Sequence, residues 1–411
     1  MRVDRRNLIA LSMRALVCGS IAPMNPALLA AQAAPGAITI GRTDTLWSAT
    51  LKEQRPYLIY TPPSYRDTIY TPSEYPVLYL LDGDAHFHSV TGLLQILGTG
   101  VNGTYVIPEM IVVAIPNTNR MRDLSPTRSQ SDPDGKPMPG TAMTGGMPAF
   151  LRFIQTELIP HIDSTYRTAP YRVFVGHSLG GITTIDALYT MPSAFNAYVA
   201  IDPSLWWDKR VLLNKAKDFF TSPKPPDRTL YVALANTLNA DDSLPNTHFN
   251  SIMQFNRIAE EYNRGSLRYG FHYYANDDHG SVPMIAEYDA LRFIFDGYWM
   301  PIQKALARPA FVTEHFEGVS AKFGYRVLPS ESMLDLLGTV ATGRDTTKAL
   351  ELRRMTTDAY PASGRAWASL GTLLLARRDT SGAVAAFEKS IAVRPAHTAT
   401  RETLRKLTGG K

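Results

Sequence analysis

Tyr171-Arg172-Val173-Phe174-Val175-Gly176-His177-Ser178-Leu179-Gly180-Gly181-Ile182 is the stretch whose reading decides the fold. Residues 171–175 form a short β-branched and aromatic run, the composition of a buried strand. Gly176-His177-Ser178-Leu179-Gly180 follows at once and matches G-x-S-x-G, and residues 182–189 then carry apolar side chains at helical spacing. A serine on so sharp a strand-to-helix turn sits in strained backbone, so the positions two before and two after it must lack a bulky Cβ. The turn lifts Oγ clear of the sheet, and the Leu179 amide at the helix N-terminus is left free for an anion. Ser178 is the candidate nucleophile.

Outward from this unit the same alternation continues. Residues 77–81 and 111–115 are near-continuous apolar runs, as strands covered on both faces require, and they stop at Asp82-Gly83-Asp84 and Pro116-Asn117. Residues 37–60 alternate and predict edge strands in a hairpin. Residues 198–201, 230–235 and 267–274 are further strands, separated by helical patterns; residues 150–162 and 286–299 are helices. Strand and helix in alternation specify an α/β fold with a doubly wound, mostly parallel sheet. Residues 121–146 are rich in Pro, Gly, Ser and Met without periodicity and predict a lid or binding loop.

The sequence has 411 residues, 45% apolar and 19% charged, the balance of a globular protein. Its net charge of +5 is concentrated in residues 1–33, and beyond them 38 basic residues face 36 acidic ones without a basic stripe, which argues against nucleic acid. Arg5-Arg6 precede an apolar segment from Leu8 to about Ala22, and Ala31-Gln32-Ala33 has the form of a cleavage site. An export signal over residues 1–33, with a twin-arginine flavour, is expected, hence a periplasmic or secreted protein with no membrane span in the mature chain. Cys18 is the sole cysteine and lies inside this segment in a poor lipoprotein context, so the mature chain has no thiol for a disulfide, a nucleophile or a metal.

The C-terminal part is different. Leu337-Gly338, Ala349 and Pro361 recur as Leu370-Gly371, Ala383 and Pro395, 33 or 34 residues later. Trp367 with Leu370-Gly371, Ala383, Phe387 and Pro395 fits the tetratricopeptide pattern; the first copy lacks the Trp. Two repeats rarely stand alone as a solenoid, so they are expected to lean on residues 311–333, on the sheet domain or on a protein partner.

A serine hydroxyl needs a base within hydrogen-bond reach, and the base needs an orienting acid. His279 is the candidate base, because it follows the last strand in the polar loop Asn276-Asp277-Asp278-His279-Gly280-Ser281 and stands in the order nucleophile, acid, histidine. His177 is expected to point away from the base position. The loop after residues 230–235 should supply the acid, which makes Asp241 or Asp242 the first candidates; Asp202 is the rival, and a carbonyl-oriented Ser–His dyad the remaining option. The oxyanion is expected on the amides of Leu179 and of Gly83 or Asp84. His86-x-His88 lacks a third ligand, so neither metal nor cofactor is expected.

Leu80-Leu81-Asp82-Gly83-Asp84, Gly176-His177-Ser178-Leu179-Gly180-Gly181, Pro203-Ser204-Leu205-Trp206-Trp207 and Asp278-His279-Gly280-Ser281-Val282-Pro283 together resemble the putative esterase family. That family includes enterochelin and salmochelin esterases, esterase D, and feruloyl or acetylxylan esterases. The resemblance covers about residues 38–300 and implies an α/β-hydrolase domain with Ser178 as nucleophile and His279 as base. The siderophore-esterase branch is nearest in its motifs; it implies that Trp206 and Trp207 neighbour the pocket, to stack an aromatic acyl group or to pack the core. Arg120 and Arg122 match the family's Arg-x-Arg-Asp segment, with Arg120 and His86 as candidate substrate contacts and Arg122 paired to Asp123. The chain departs from the pattern at Asp202, where many relatives have a small polar residue. The expected organisation is an export signal (1–33), an α/β-hydrolase domain (37–305), a linker helix region (306–332) and a small all-helical repeat segment (333–408).

Two functions follow. The first is a serine ester hydrolase working through an acyl-enzyme, with acyl transfer as its variant. The second is a binding or assembly protein that uses its repeats, against which the intact Ser178, His279 and Asp-Gly loop argue.

Overall fold

Strand order shows how the chain brings its loops together. The computed structural model describes residues 38–99, 105–132, 136–138, 143–222, 227–241, 245–265 and 267–409. Contacts divide the chain after Ile40. Of the first unit only residues 38–40 are described, so the expected export signal and Cys18 lie outside the described residues. In the second unit, β1 (Arg42–Ser48), β2 (Glu53–Tyr60), β3 (Tyr75–Leu81), β4 (Ile111–Ile115), β5 (Thr168–His177), β6 (Ala197–Ile201), β7 (Thr229–Ala235) and β8 (Arg268–Tyr274) form one sheet in the order 1-2-4-3-5-6-7-8. β1 and β2 pair antiparallel, β2 meets β4 antiparallel, and from β4 to β8 every pairing is parallel. β3, β4, β6 and β7 are buried at every residue, which is why they read as unbroken apolar runs.

Helices cover both faces. On one, Ile182, Ile185 and Leu188 of the helix Leu179–Thr190 pack with Phe150, Phe220 and Phe255. On the other, Phe87 and Leu94 of the helix Gly83–Gly98 pack with Ala286 and Ile294 of the helix Val282–Ile294. That last helix starts four residues and ends five residues earlier than the expected 286–299, with Pro283 in its first turn, where a missing amide costs nothing. The expected helix 150–162 is three joined pieces, Met147–Phe153, a wide π turn Ile154–Leu158 and Ile159–Thr165; Pro160 has no amide to offer the regular ladder there.

The second apolar layer does not stop where the α/β part ends. Val312, Phe316, Val319 and Phe323 of the helix Ala310–Phe323 are buried in it, together with Leu334, Leu337 and Leu352 of the next two helices, Glu331–Thr342 and Thr346–Ala359. The Tyr171 ring at the start of the decisive stretch touches Phe295 and Phe323, each with centroids 5.5 Å away. Polar ties add direction: the Thr71 amide donates to Glu331 Oε2 at 2.8 Å, and the Tyr70 hydroxyl donates to Asp335 Oδ2 at 3.2 Å. Residues 306–332, expected as a linker, therefore pack into the same apolar layer as the sheet. Among the described residues, only the pair Gly364–Ala376 and Thr380–Val393 has a cluster of its own, Leu370, Leu374, Ala383, Ala386 and Phe387. A Cβ on Gly371 would come within 2.6 Å of the Phe387 ring, which explains the recurring Leu-Gly as a point of close helix approach.

The described parts of the 121–146 segment are anchored at their start. Asp123, 2% exposed, accepts from Arg55 Nη1 at 2.7 Å, and Arg55 is 1% exposed. Arg122 bridges Asp123 and Glu53, and its hydrogen bond holds the Glu53 carboxyl down at about 2 against the opposing effect of burial.

Two outcomes are expected from this packing. Asp123→Ala leaves the Arg55 guanidinium buried without its main partner and should cost about 3–5 kcal/mol in chemical denaturation. Deleting residues 310–411 uncovers a layer in which each fully buried apolar side chain contributes about 1.5–3 kcal/mol, so the truncated chain should be insoluble or unfolded by circular dichroism.

Candidate active site

Ser178 has φ 60° and ψ −115°, a conformation rare for any residue with a Cβ. The surrounding turn enforces it. A Cβ on Gly176 would lie 2.2 Å from the Gly180 carbonyl oxygen, so only glycine fits two residues before the serine. Gly180 is less constrained, with its nearest neighbour at 3.3 Å. The Ser178 amide donates to the Ile201 carbonyl at 2.9 Å, which ties the tip of β5 to the tip of β6. Leu179 then opens its helix, where the first amides have no carbonyl four residues back to donate to. Gly83 and Asp84 open the helix after β3 in the same way.

His279 approaches from the loop after β8. Its Nε2 lies 3.1 Å from Ser178 Oγ and its Nδ1 lies 2.5 Å from Asp202 Oδ2. A carboxylate only accepts, so Nδ1 carries the proton and the lone pair on Nε2 faces the serine hydroxyl. The loop holds the ring in place by itself: Asp278 Oδ1 accepts from the Gly280 and Ser281 amides at 2.9 Å each.

The carboxylate on the ring is Asp202, not Asp241, the position after β7 expected from chain order; Asp242 lies outside the described residues. Asp202 follows β6 directly, with φ 40°, and is 0% exposed. The left-handed turn swings the carboxylate across the tip of β7, where Oδ1 accepts from the Ala235 amide at 3.0 Å. A second histidine, His248, places Nε2 2.9 Å from the same Oδ2 from the start of the helix Thr247–Tyr262. Burial opposes ionisation of Asp202, but the hydrogen bonds from His248, His279 and the Ala235 amide outweigh it and hold the carboxyl well below its usual range.

Asp202, His248 and His279 also make a set of three metal-ligand types within 4.8 Å. Their N–O separations of 2.5 and 2.9 Å are those of hydrogen bonds. Two ligand atoms at about 2.0–2.1 Å from one tetrahedral zinc would stand roughly 3.3 Å apart, so the arrangement fits protons better than a metal ion.

The other expected residues divide. Arg120 is held by Asp82, with Nε 2.7 Å from Oδ1 and Nη2 3.0 Å from Oδ2, and Nη2 also reaches the His177 carbonyl at 3.3 Å. It thus fastens the Asp82-Gly83-Asp84 loop to the serine turn. Trp207 is buried, with its indole N–H donating to the Thr127 carbonyl at 3.2 Å, so of the two expected places, pocket or core, it takes the core. Trp206 remains half-buried. His86 and His88 are two apart on one helix and face different ways, His88 exposed and His86 half-buried, its ring edge-on to His177 at 5.7 Å. His177 does not point away: its ring lies 4.5 Å from that of His279. Burial, reinforced by the charges of His279 and His86, lowers the His177 pKa to about 4 and keeps it neutral. Reading by sequence also missed Ser204, buried, with Oγ 3.3 Å from Ser178 Oγ. Asp202 had a visible signal, standing directly after a strand as Ser178 does; His248 had none beyond opening a helix.

The putative esterase family model matches residues 48–281. The chain belongs to the putative esterase family. Among curated proteins it is 32% identical over 268 residues to the ferri-bacillibactin esterase BesA of Bacillus subtilis, covering 62% of this chain and 91% of that one. Among solved structures, the IroE-like serine hydrolase from Shewanella oneidensis superimposes with a TM-score of 0.67 at 32% identity, over 77% of this chain and 99% of that chain. An uncharacterised protein from Capnocytophaga ochracea covers 90% of this chain at a TM-score of 0.57, with 16% identity, and shows the fold alone. The protein is an α/β-hydrolase and a carboxylic ester hydrolase. Among the described residues no helix is long and apolar enough to cross a membrane.

Asp202 links the site to stability. Its folded pKa lies below the unfolded value of 3.8, so its ionisation stabilises the fold at pH above that value, and the stabilisation is lost as pH falls through the folded value. Asp202→Asn should therefore be less stable than the parent near neutrality, and the gap in unfolding free energy should narrow as the pH is taken below about 4.

Proposed function

We propose that Ser178 is the nucleophile, His279 the general base and Asp202 the acid that orients it, and that the ester cleaved is that of a siderophore. One observation carries the mechanism: His279 has one ring nitrogen at Ser178 Oγ and the other on a fully buried carboxylate. Ser178 Oγ attacks the ester carbonyl while His279 Nε2 takes its proton. The tetrahedral oxyanion is received by the amides of Leu179 and of Gly83 or Asp84. His279 then protonates the departing alcohol, leaving the acyl group on Ser178. A water repeats the sequence, giving its proton to His279 and its oxygen to the acid product. Asp202 stays ionised throughout and stabilises the imidazolium. His248 supports this acid at the same oxygen, Oδ2.

The siderophore class rests on the ferri-bacillibactin esterase that the chain resembles over most of that protein's length. Half-buried Trp206, two residues past Ser204, suits an aromatic acyl group. The residues 1–33 would direct export to the periplasm or beyond, where such esters are met. A protein partner for the C-terminal helices has as its support only the repeat pattern of residues 333–408.

The test is hydrolysis of ferri-bacillibactin and of short-chain p-nitrophenyl esters, with Ser178→Ala and His279→Ala beside the parent. Loss of turnover on the order of 10⁶-fold in either variant is expected, as when such a unit is broken elsewhere. Cleavage of p-nitrophenyl esters alone would remove the siderophore assignment and keep the mechanism. Absence of turnover together with no fluorophosphonate labelling of Ser178 would overturn both. His248→Ala should lower kcat by about tenfold with KM little changed, the scale of one hydrogen bond to a charged group; a rise in KM alone would place His248 at the substrate instead.

A further inference from the structure

The helix that begins at the nucleophile has a second feature, on a part that does not reach the catalytic residues. A cleft of about 350 Å³ runs along it, and neither Ser178, Asp202 nor His279 lines it. Its walls are mixed, with Leu151, Met191 and Leu212 beside Gln155 and Thr190. Asp186, in the middle of the helix, lines it as well. This side chain is 8% exposed, and among the described residues its carboxylate has no hydrogen bond and no ion pair. Burial pushes the Asp186 carboxyl up, and the charge of Lys215 only partly opposes this. Arg152 and Lys215, both exposed, border the same cleft, and neither has an ion pair among the described residues.

Nothing in the helix requires a carboxylate at this position. Neighbouring Ile185 and Ala187 show that apolar residues pack there, and a buried, unpartnered carboxylate costs several kcal/mol. The Lys215 charge offsets part of that cost, and the Asp186 oxygens are not among the fully enclosed unpartnered atoms, so they open onto the cleft, where the cation of a ligand can reach them. The layout also has polarity, with an acid set deep, partly apolar sides, and two cations at the exposed end. Pockets of this volume lie at the small end of the range for small-molecule sites.

We propose that this cleft binds a small zwitterion: a primary ammonium group on an apolar stem, seated on Asp186, with a carboxylate at the outer end held by Arg152 and Lys215. A compact ammonium suits a single deep carboxylate better than the broad fork of a guanidinium, which wants two acceptors in its plane. Charge at both ends separates this ligand from a simple amine and from a fatty acid. The site is distinct from ester cleavage and does not depend on it.

Isothermal titration of the full chain with 6-aminohexanoate, hexylamine and hexanoate tests the idea, with ester turnover of each variant as the check on folding. One binding site is expected for 6-aminohexanoate, at least about tenfold tighter than for either single-charge compound, since each charge-assisted contact contributes roughly that factor. Asp186→Asn should weaken 6-aminohexanoate at least about tenfold while p-nitrophenyl ester turnover stays unchanged. Lys215→Ala, at an exposed position that does not threaten folding, should weaken 6-aminohexanoate and leave hexylamine as it was. The proposal is overturned if 6-aminohexanoate gives no saturable heat, if hexanoate binds as tightly, or if Asp186→Asn binds it unchanged. Equal loss of hexylamine and 6-aminohexanoate in Lys215→Ala would likewise overturn the assigned orientation.

Discussion

The contact between Gly176 and the Gly180 carbonyl governs much of what this protein can do. With no side chain at Gly176 the strand can turn back on itself within a few residues, and Ser178 is left in a backbone conformation that a relaxed chain avoids. The strain persists because both sides of the turn are over-determined: β5 is locked between β3 and β6, and the helix that follows is buried along most of its length. Strain at the serine is therefore maintained by packing on both faces of the sheet, and the hydroxyl stands at the sheet edge without any motion being needed to expose it.

A parallel sheet gathers the ends of its strands at one edge, and the catalytic geometry is a consequence. β5, β6 and β7 end side by side, which places Ser178, Asp202 and the Ala235 amide in neighbouring positions though they are far apart in the chain. His279 arrives from β8 and spans the gap. Asp202 is then fully buried and still ionised, because three donors converge on it. The same rule holds at Arg55 and Asp123, where a buried charge is tolerated by an opposite one. Asp186 has no opposite charge in hydrogen-bond contact, only that of Lys215 acting from farther off, and this is what gives its cleft chemical meaning.

The C-terminal helices are joined to the enzyme by oil and by a few directed polar contacts. The first of them lie in the apolar layer that also holds Tyr171, so the face of β5 opposite the nucleophile's helix is covered by residues more than a hundred positions later. Only the last repeat-like pair keeps a separate apolar cluster. A segment that reads as a repeat array thus begins as part of the enzyme's own core.

How much of this was legible in sequence follows from range. Strand and helix positions depend on local apolar period, and the runs at 77–81, 111–115 and 230–235 announced their burial. The serine turn was legible because steric demands within five residues determine its composition, and His279 because a polar loop after the last strand is a local mark. Asp202 was marked only as an acid directly after a strand, and His248 was not separable from other helix-opening histidines, since their placement comes from a left-handed turn and the adjacency of β6 and β7. Trp207 and Trp206 are identical as letters, and only packing sends one into the core. By itself the sequence determined the α/β alternation, the serine turn and the histidine loop after the last strand, for these rest on neighbours in the chain. Which acid meets the base, which tryptophan stays near the surface and how the C-terminal helices attach were decided by tertiary structure, because hydrogen bonds and burial join residues that only the folded sheet brings together.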